Sequence, residues 1–537
     1  MNYFLPTLAL LFALTACGDP TPPAADEAMA DPAANLPGPA TTDYQERYRP
    51  RIHFSPPSGW MNDPNGMVYH DGEYHLFYQH YPDSTVWGPM HWGHAVSKDM
   101  ISWEHLPIAL YPDSLGYIFS GSAVVDGDNT SGFGRDGIDP LVAIYTYHDM
   151  DMEKASFAAG KYDVGSRHQY QAIAYSLDKG RTFTKYAGNP VMPNVDNIYD
   201  WRDPKVSRHA PTGQWVMALA ARDSIMFYGS PNLENWEYLS SFGAGIGSHD
   251  GVWECPDLIP MTNRTTGEKR FVLLVSTNPG GINGGSATMY FVGDFDGRTF
   301  TADDDFLAAD PDERGIWLDY GRDNYAGVTF GNVPDADGRT LFMGWLGNWL
   351  YAQQVPTLGW RSAMTLPREL TLRGEGEGQR VFSTPVEELR SLRANAFNDL
   401  STAPATAPTE IMLSFKLSPD FSGKAGLELT NEGGDRYRIG YDAATGQFFS
   451  DRTGGTYPFS DEFGKPSGVA PRNSTSDTLT LHLFLDVASA ELFADDGATV
   501  VTELFFPEDG FTKMATFTDE GAEVIGATGF ALRSIWE

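Results

Sequence analysis

Five short apolar runs recur along this chain, each entered through a polar turn, and their spacing of roughly 55 to 75 residues sharply limits the fold. They are DGEYHLFYQ (71–79), DPLVAIYTY (139–147), TGQWVMALA (212–220), EKRFVLLVS (268–276) and GRTLFMGWL (338–346). Four of them are followed by a hairpin of shared design: AVSKDMISWEHL (95–106), AYSLDKGRTFTKY (174–186), YGSPNLENWEYL (228–239) and FVGDFDGRTFTA (291–302). In each hairpin an apolar strand meets a polar or Gly-containing turn and then an aromatic: Trp103, Phe183, Trp236, Phe300. Repeated four-stranded units of this length predict an all-β chain with a five-bladed β-propeller. Unrelated hairpins in a sandwich would share the turns but not the common order of parts.

The repeat gives three acidic residues a shared address. Asp63-Pro64 precedes a strand, the turn at Asp71-Gly72 and the first apolar run. Asp203-Pro204 precedes KVSRHAPTGQWVMALA, and Glu254-Cys255-Pro256 precedes DLIPMTNRTTGEKRFVLLVS, in the same order. Each carboxylate therefore opens the first strand of a blade. First strands line a propeller's axis, so the three side chains are expected to converge on one pocket. Converging carboxylates among aromatics suit glycoside cleavage, in which one attacks the anomeric carbon and another protonates the leaving oxygen. Crowding and burial separate two such carboxyls into an acid and a nucleophile.

Charge narrows the partners. Thirty-seven basic against 71 acidic side chains leave a formal charge of −34, which disfavours nucleic acid and anionic membrane surfaces and favours solubility. The start of the chain is an address. Phe4 to Ala16 is apolar, uncharged and too short to span a bilayer. It ends in LTAC (14–17), which resembles the lipobox of bacterial lipoproteins and implies lipid on Cys17, although no Lys or Arg precedes the apolar run. An ordinary secretory signal is the alternative. Gly18 to Tyr44, rich in Pro, Ala and Asp, reads as a disordered tether. With Cys17 lipidated, Cys255 has no partner, so no disulfide is expected. The boundaries expected are 1–17 for the signal, 18–46 for the tether, 47–372 for the propeller and 373–537 for a β-sandwich.

Four motifs in order, WMNDPNG (60–66), FSGS (119–122), WRDPK (201–205) and WECPD (253–257), resemble those of glycoside hydrolase family 32, which holds invertases, inulinases and levanases. The resemblance runs from about Arg51 to the C-terminus. It implies a propeller followed by a sandwich, and a retaining mechanism on β-fructofuranosides. On that pattern Asp63 is the nucleophile and Glu254 the acid/base. Asp203 stabilises the transition state, with Arg202 beside it. Trp60, Asn62, Gln79, Trp87, Phe119 and Ser120 fall where a terminal fructose is gripped. A Trp from MGWLGNW is expected to form the floor, Trp345 in preference to Trp349. Cys255 reads as a small buried neighbour of the acid.

Longer stretches at 278–297, 319–330 and 348–370 look more like exo-acting levanases and inulinases than intracellular sucrose hydrolases. The segment 479–507 alternates as sandwich strands do around an Asp-Gly turn, with ASAELF in place of the more usual Ser-Val-Glu form. The expected function is release of fructose from levan, inulin or sucrose by an exported enzyme held at the periplasm or cell surface through its lipid, or secreted. A fructosyltransferase on the same carboxylates and a fructan-capturing lipoprotein are the alternatives; the second needs neither a nucleophile nor an acid. No cofactor or metal is implied. His91 and His94 point to opposite faces of a strand, and TADDDFLAADPDE (301–313) reads as a solvated acidic loop without a calcium-loop pattern. Oligomeric state is not readable from the chain.

Overall fold

The computed structural model describes residues 43–536 except 152–153, 155–167, 311–313, 404–407 and 456–458. The signal, Cys17 and nearly all of the tether lie outside the described residues. The chain folds as a five-bladed β-propeller followed by a β-sandwich, seven mainly antiparallel sheets in all among the described residues.

Each predicted apolar run is the second strand of a blade: Glu73–Tyr81, Leu141–His148, Gln214–Ala221, Lys269–Asn278 and Thr340–Leu346. These strands are buried on both faces, which is why they read as continuous apolar stretches. The hairpin turns owe their common look to one device. The Asp99, Asp178, Asn232 and Asp296 side chains accept backbone N–H groups two to four residues on. The residue after each is left-handed: Met100, Lys179, Leu233 and Gly297. Trp103 and Trp236 then donate their indole N–H to the carbonyls of Met100 and Leu233, locking the turn to the outer strand.

The innermost strands are Gly59–His70, Tyr117–Val125, Trp201–His209, Val252–Thr262 and Tyr325–Thr329. Each packs against the next around a closed ring. Closure is not left to packing alone. Trp360–Arg361, from the last blade, pairs in parallel with Gly59–Trp60 of the first. The acidic loop at 301–313 departs from expectation: Asp304–Ala308 forms a single helical turn, because Phe306 is buried and pins it down.

The sandwich joins the propeller through buried charge. Arg368, in the strand Arg368–Arg373, donates to Asp319 at 2.9 Å and to Glu491 of the sandwich at 2.7 Å, with all three side chains out of solvent. Glu491 is the acid of the ASAELF segment and also meets His53 at 3.1 Å. Burial opposes a charge on His53, but Asp486 and Glu491 prevail and raise the imidazole to about 9. Removing one partner from such a set strands the others. Arg368→Met should therefore cost about 3–5 kcal/mol by denaturant titration, whereas a loss within experimental error would make the seam apolar in character.

Candidate active site

All five innermost strands break register with their second strands near their starts. The breaks fall at Met61/Pro64, Ile118/Gly121, Arg202/Lys205, Glu254/Asp257 and Tyr325/Val328. A bulge leaves a residue out of the ladder and re-aims its side chain, here toward the axis. Asp203, Cys255 and Ala326 take left-handed φ of 64°, 46° and 53°, a strained choice for residues other than glycine. Pro204 and Pro256 fall inside these breaks, where no ladder N–H is asked of them, and Pro64 closes its break opposite Tyr78.

The bulges bring Asp63, Asp203 and Glu254 to one cavity of about 530 Å3. Asn62, Gln79, Trp87, Phe119, Ser120 and Arg202 line it as well. Asn62 donates to Asp63 Oδ1 at 3.0 Å and the Ser120 hydroxyl to Oδ2 at 2.8 Å. Burial raises Asp63 to about 6, with the charge of Glu254 adding to it and those two hydrogen bonds opposing it. Burial likewise raises Asp203, against the pull of Arg202, while Glu254 and Asp63 push it further. Arg202 contacts Glu254 Oε1 at 2.9 Å and Asp200 at 2.7 Å. Tyr325 donates its hydroxyl to the other Glu254 oxygen. The thiol of Cys255 lies 3.8 Å from Asp63 and 3.6 Å from Asp203, and burial among these acids raises it far above the usual thiol range. It is the only free cysteine among the described residues, and no disulfide forms there.

Two expected contacts are corrected. Trp349, not Trp345, faces the cavity. Trp345 is fully buried and packs behind Trp349, ring centroids 5.0 Å apart. Trp60 is buried too, stacked on Trp349 at 5.7 Å. Its indole N–H fixes Asn62 at 2.7 Å, so it orients a lining residue and does not line the cavity itself. The cause is register: Trp345, the penultimate residue of the strand Thr340–Leu346, is paired on both sides and turned into the core, while Trp349 follows in a turn with its amide held by Ser286.

Several lining residues went unread in the sequence, among them Asp200, His148, Gln169, Asn278 and Gln353. His148 stacks on Phe119 at 4.5 Å and stiffens that wall. Tyr325 was discoverable, since it opens the first strand of the fifth blade as the acids open theirs. The cavity also holds a ready donor: the Gln79 side-chain nitrogen is buried and has no partner among the described residues.

Comparison with known proteins is consistent in both halves of the chain. The glycosyl hydrolases family 32 N-terminal domain matches residues 53–385 and the family's C-terminal domain residues 374–536. A levanase of Bacillus subtilis is 45% identical over 92% of this chain and 72% of its own length. An extracellular exo-inulinase of Aspergillus awamori is 36% identical over 92% of this chain and 96% of its own. The crystal structure of an exo-inulinase from Aspergillus awamori superposes with a TM-score of 0.82 at 33% identity, covering 92% of this chain and all of that one.

Proposed function

Since the chain belongs to glycoside hydrolase family 32, we propose that it is an exo-acting, retaining β-fructofuranosidase that removes terminal fructose from levan- or inulin-type fructans and from sucrose. The observation that carries the reading is the set of three carboxylates aimed by strand bulges into one cavity. Asp63, held by Asn62 and Ser120, attacks the anomeric carbon as a carboxylate. Glu254 gives its proton to the departing oxygen and later takes one from water. Asp203 grips the fructose hydroxyls, with Arg202 beside it, and its carboxylate steadies the positive charge that develops on the ring. Tyr325 and Arg202 orient Glu254 through hydrogen bonds to its two oxygens. Trp349 gives the sugar ring an apolar face, and Gln79 offers a free N–H.

The cavity lies at the end of an axis packed tight by the innermost strands, so it receives a chain end more readily than a chain middle. An internal residue would lose the hydroxyl contacts and leave buried polar groups unpaired, which sites of this kind reject strongly. Free fructose should dominate the earliest products from inulin or levan, with little shortening of the average chain. A ladder of short oligosaccharides without free fructose would mean an open cleft.

Kinship with extracellular exo-inulinases supports export. We further propose that Cys17 carries lipid and tethers the enzyme to a membrane. Cys17→Ser should then move activity from the membrane fraction to the medium or soluble fraction. An unchanged distribution would leave a secreted enzyme with an ordinary signal.

A further inference from the structure

Among the described residues two aromatic side chains are at least half exposed, Tyr111 at 55% and Tyr238 at 50%. Their places differ. In a blade the first strand starts at the cavity, so the fourth ends there. Tyr111 follows directly on Leu110, the last residue of the outer strand Trp103–Leu110 of the first blade, and so stands on the cavity face. Tyr238 is the second residue of Glu237–Phe242, at the far end of the third blade.

Tyr111 is also held still. Lys185 donates to its carbonyl at 2.5 Å and to the Asp113 carboxylate at 2.6 Å. The Tyr147 hydroxyl reaches the same carboxylate at 2.7 Å, and Asp113 and Gly116 pair through both backbone groups. The ring packs edge-on against His91, centroids 5.5 Å apart, and His91 in turn is fixed by the Pro89 carbonyl at 2.8 Å. His91 lies four residues beyond Trp87, which lines the cavity and meets Phe119 at 6.1 Å. The next strand residue, Trp92, donates its indole N–H to the Phe119 carbonyl at 3.0 Å. A rigid aromatic thus stands outward of the Trp87–Phe119 wall, three strand spacings from the innermost strand of its blade, roughly 14–15 Å.

A single sugar or a disaccharide seated in the cavity does not reach that far, whereas a polymer chain crossing the rim does. We infer that Tyr111, backed by His91, is a distal binding platform for a β-fructan chain whose end lies in the cavity. The apolar face of a fructosyl ring a few units from that end stacks on the phenol ring, which needs no ordering on binding because its backbone is already pinned. This rests on the fructan reading of the cavity. The platform adds affinity equally to ground and transition state, so it lowers KM for long chains and leaves kcat alone.

The test is steady-state kinetics on long-chain inulin, levan and sucrose with wild type, Tyr111→Ala and Tyr111→Phe. Tyr111→Ala should raise KM for at least one polymer about three- to tenfold at constant kcat, and leave both constants for sucrose unchanged. Tyr111→Phe, which keeps the ring, should behave as wild type. An unchanged polymer KM in Tyr111→Ala, or an equal rise for sucrose, overturns the platform while the fructan reading stands. Failure of the wild type on both polymers overturns the fructan reading, and the platform with it.

Discussion

Asp63→Asn should abolish turnover, by a factor of at least about 10^4, and yet give a protein that melts at a higher temperature than wild type at pH 7. The carboxamide cannot attack carbon, so the covalent step is lost. Its shape is retained: the amide oxygen still accepts from Asn62, and the new N–H2 can face the Ser120 oxygen in place of the hydroxyl bond now made. The gain in stability follows from linkage. Burial and Glu254 raise Asp63 in the folded chain to about 6 from an ordinary value near 4. The folded state therefore holds a proton that the unfolded state releases between those values. Stability from this group is full below about 4 and is lost as pH rises through about 6. At pH 7 the native protein carries an unfavourable buried charge, and the neutral carboxamide of the variant removes it. The melting advantage should shrink toward pH 4; an advantage independent of pH would place its cause elsewhere.

The same shift predicts the acid limb of the wild-type pH profile. Asp63 must be ionised to attack, so kcat/KM should fall as pH drops through about 6. Ser120→Ala, which deletes a hydrogen bond that favours the anion, should move the limb upward. Retention is checked independently, since the first fructose released should be the β anomer by NMR. Early α-fructose would mean inversion and would remove Asp63 from the nucleophile's role.

How far these residues could be reached from sequence depends on what each one needs from the fold. The acids were reachable because each precedes a strand in a repeated unit, and a repeat carries position across blades. Trp349 was not reachable, because it differs from Trp345 by which side of a strand end it lies on, and strand ends are where sequence is least informative. The left-handed turns at Asp203 and Cys255 were invisible for a related reason. Neither residue type announces a positive φ, and only the bulge imposed by converging strands requires it. Arg368 and Glu491 show the opposite limit. Glu491 sits in a segment recognised as sandwich strands and Arg368 in one that was not, and a buried ion pair linking residues 123 apart in sequence has no local signature.

Glu254→Gln should lower fructan hydrolysis by roughly 10^2 to 10^4, and the loss should depend on the leaving group. Glu254 is met by Arg202 on one oxygen and by Tyr325 on the other, so the carboxyl is held in one orientation at the cavity. Glutamine can keep its carbonyl oxygen toward Arg202 and turn its N–H2 toward the Tyr325 oxygen, but it cannot deliver a proton. A fructoside whose aglycone leaves unaided, such as a nitrophenoxide, should therefore form the Asp63 ester nearly as fast as in wild type. Hydrolysis of that ester still needs a base to take a proton from water, and the variant has none. The ester should accumulate, with a burst of nitrophenol followed by a slow steady rate. Azide attacks without a base, so it should restore the steady rate and yield a β-fructosyl azide. Equal losses on the natural and the activated substrate, with no burst and no rescue, would move the acid/base function away from Glu254. They would leave Arg202 and Tyr325 holding a carboxylate that only binds.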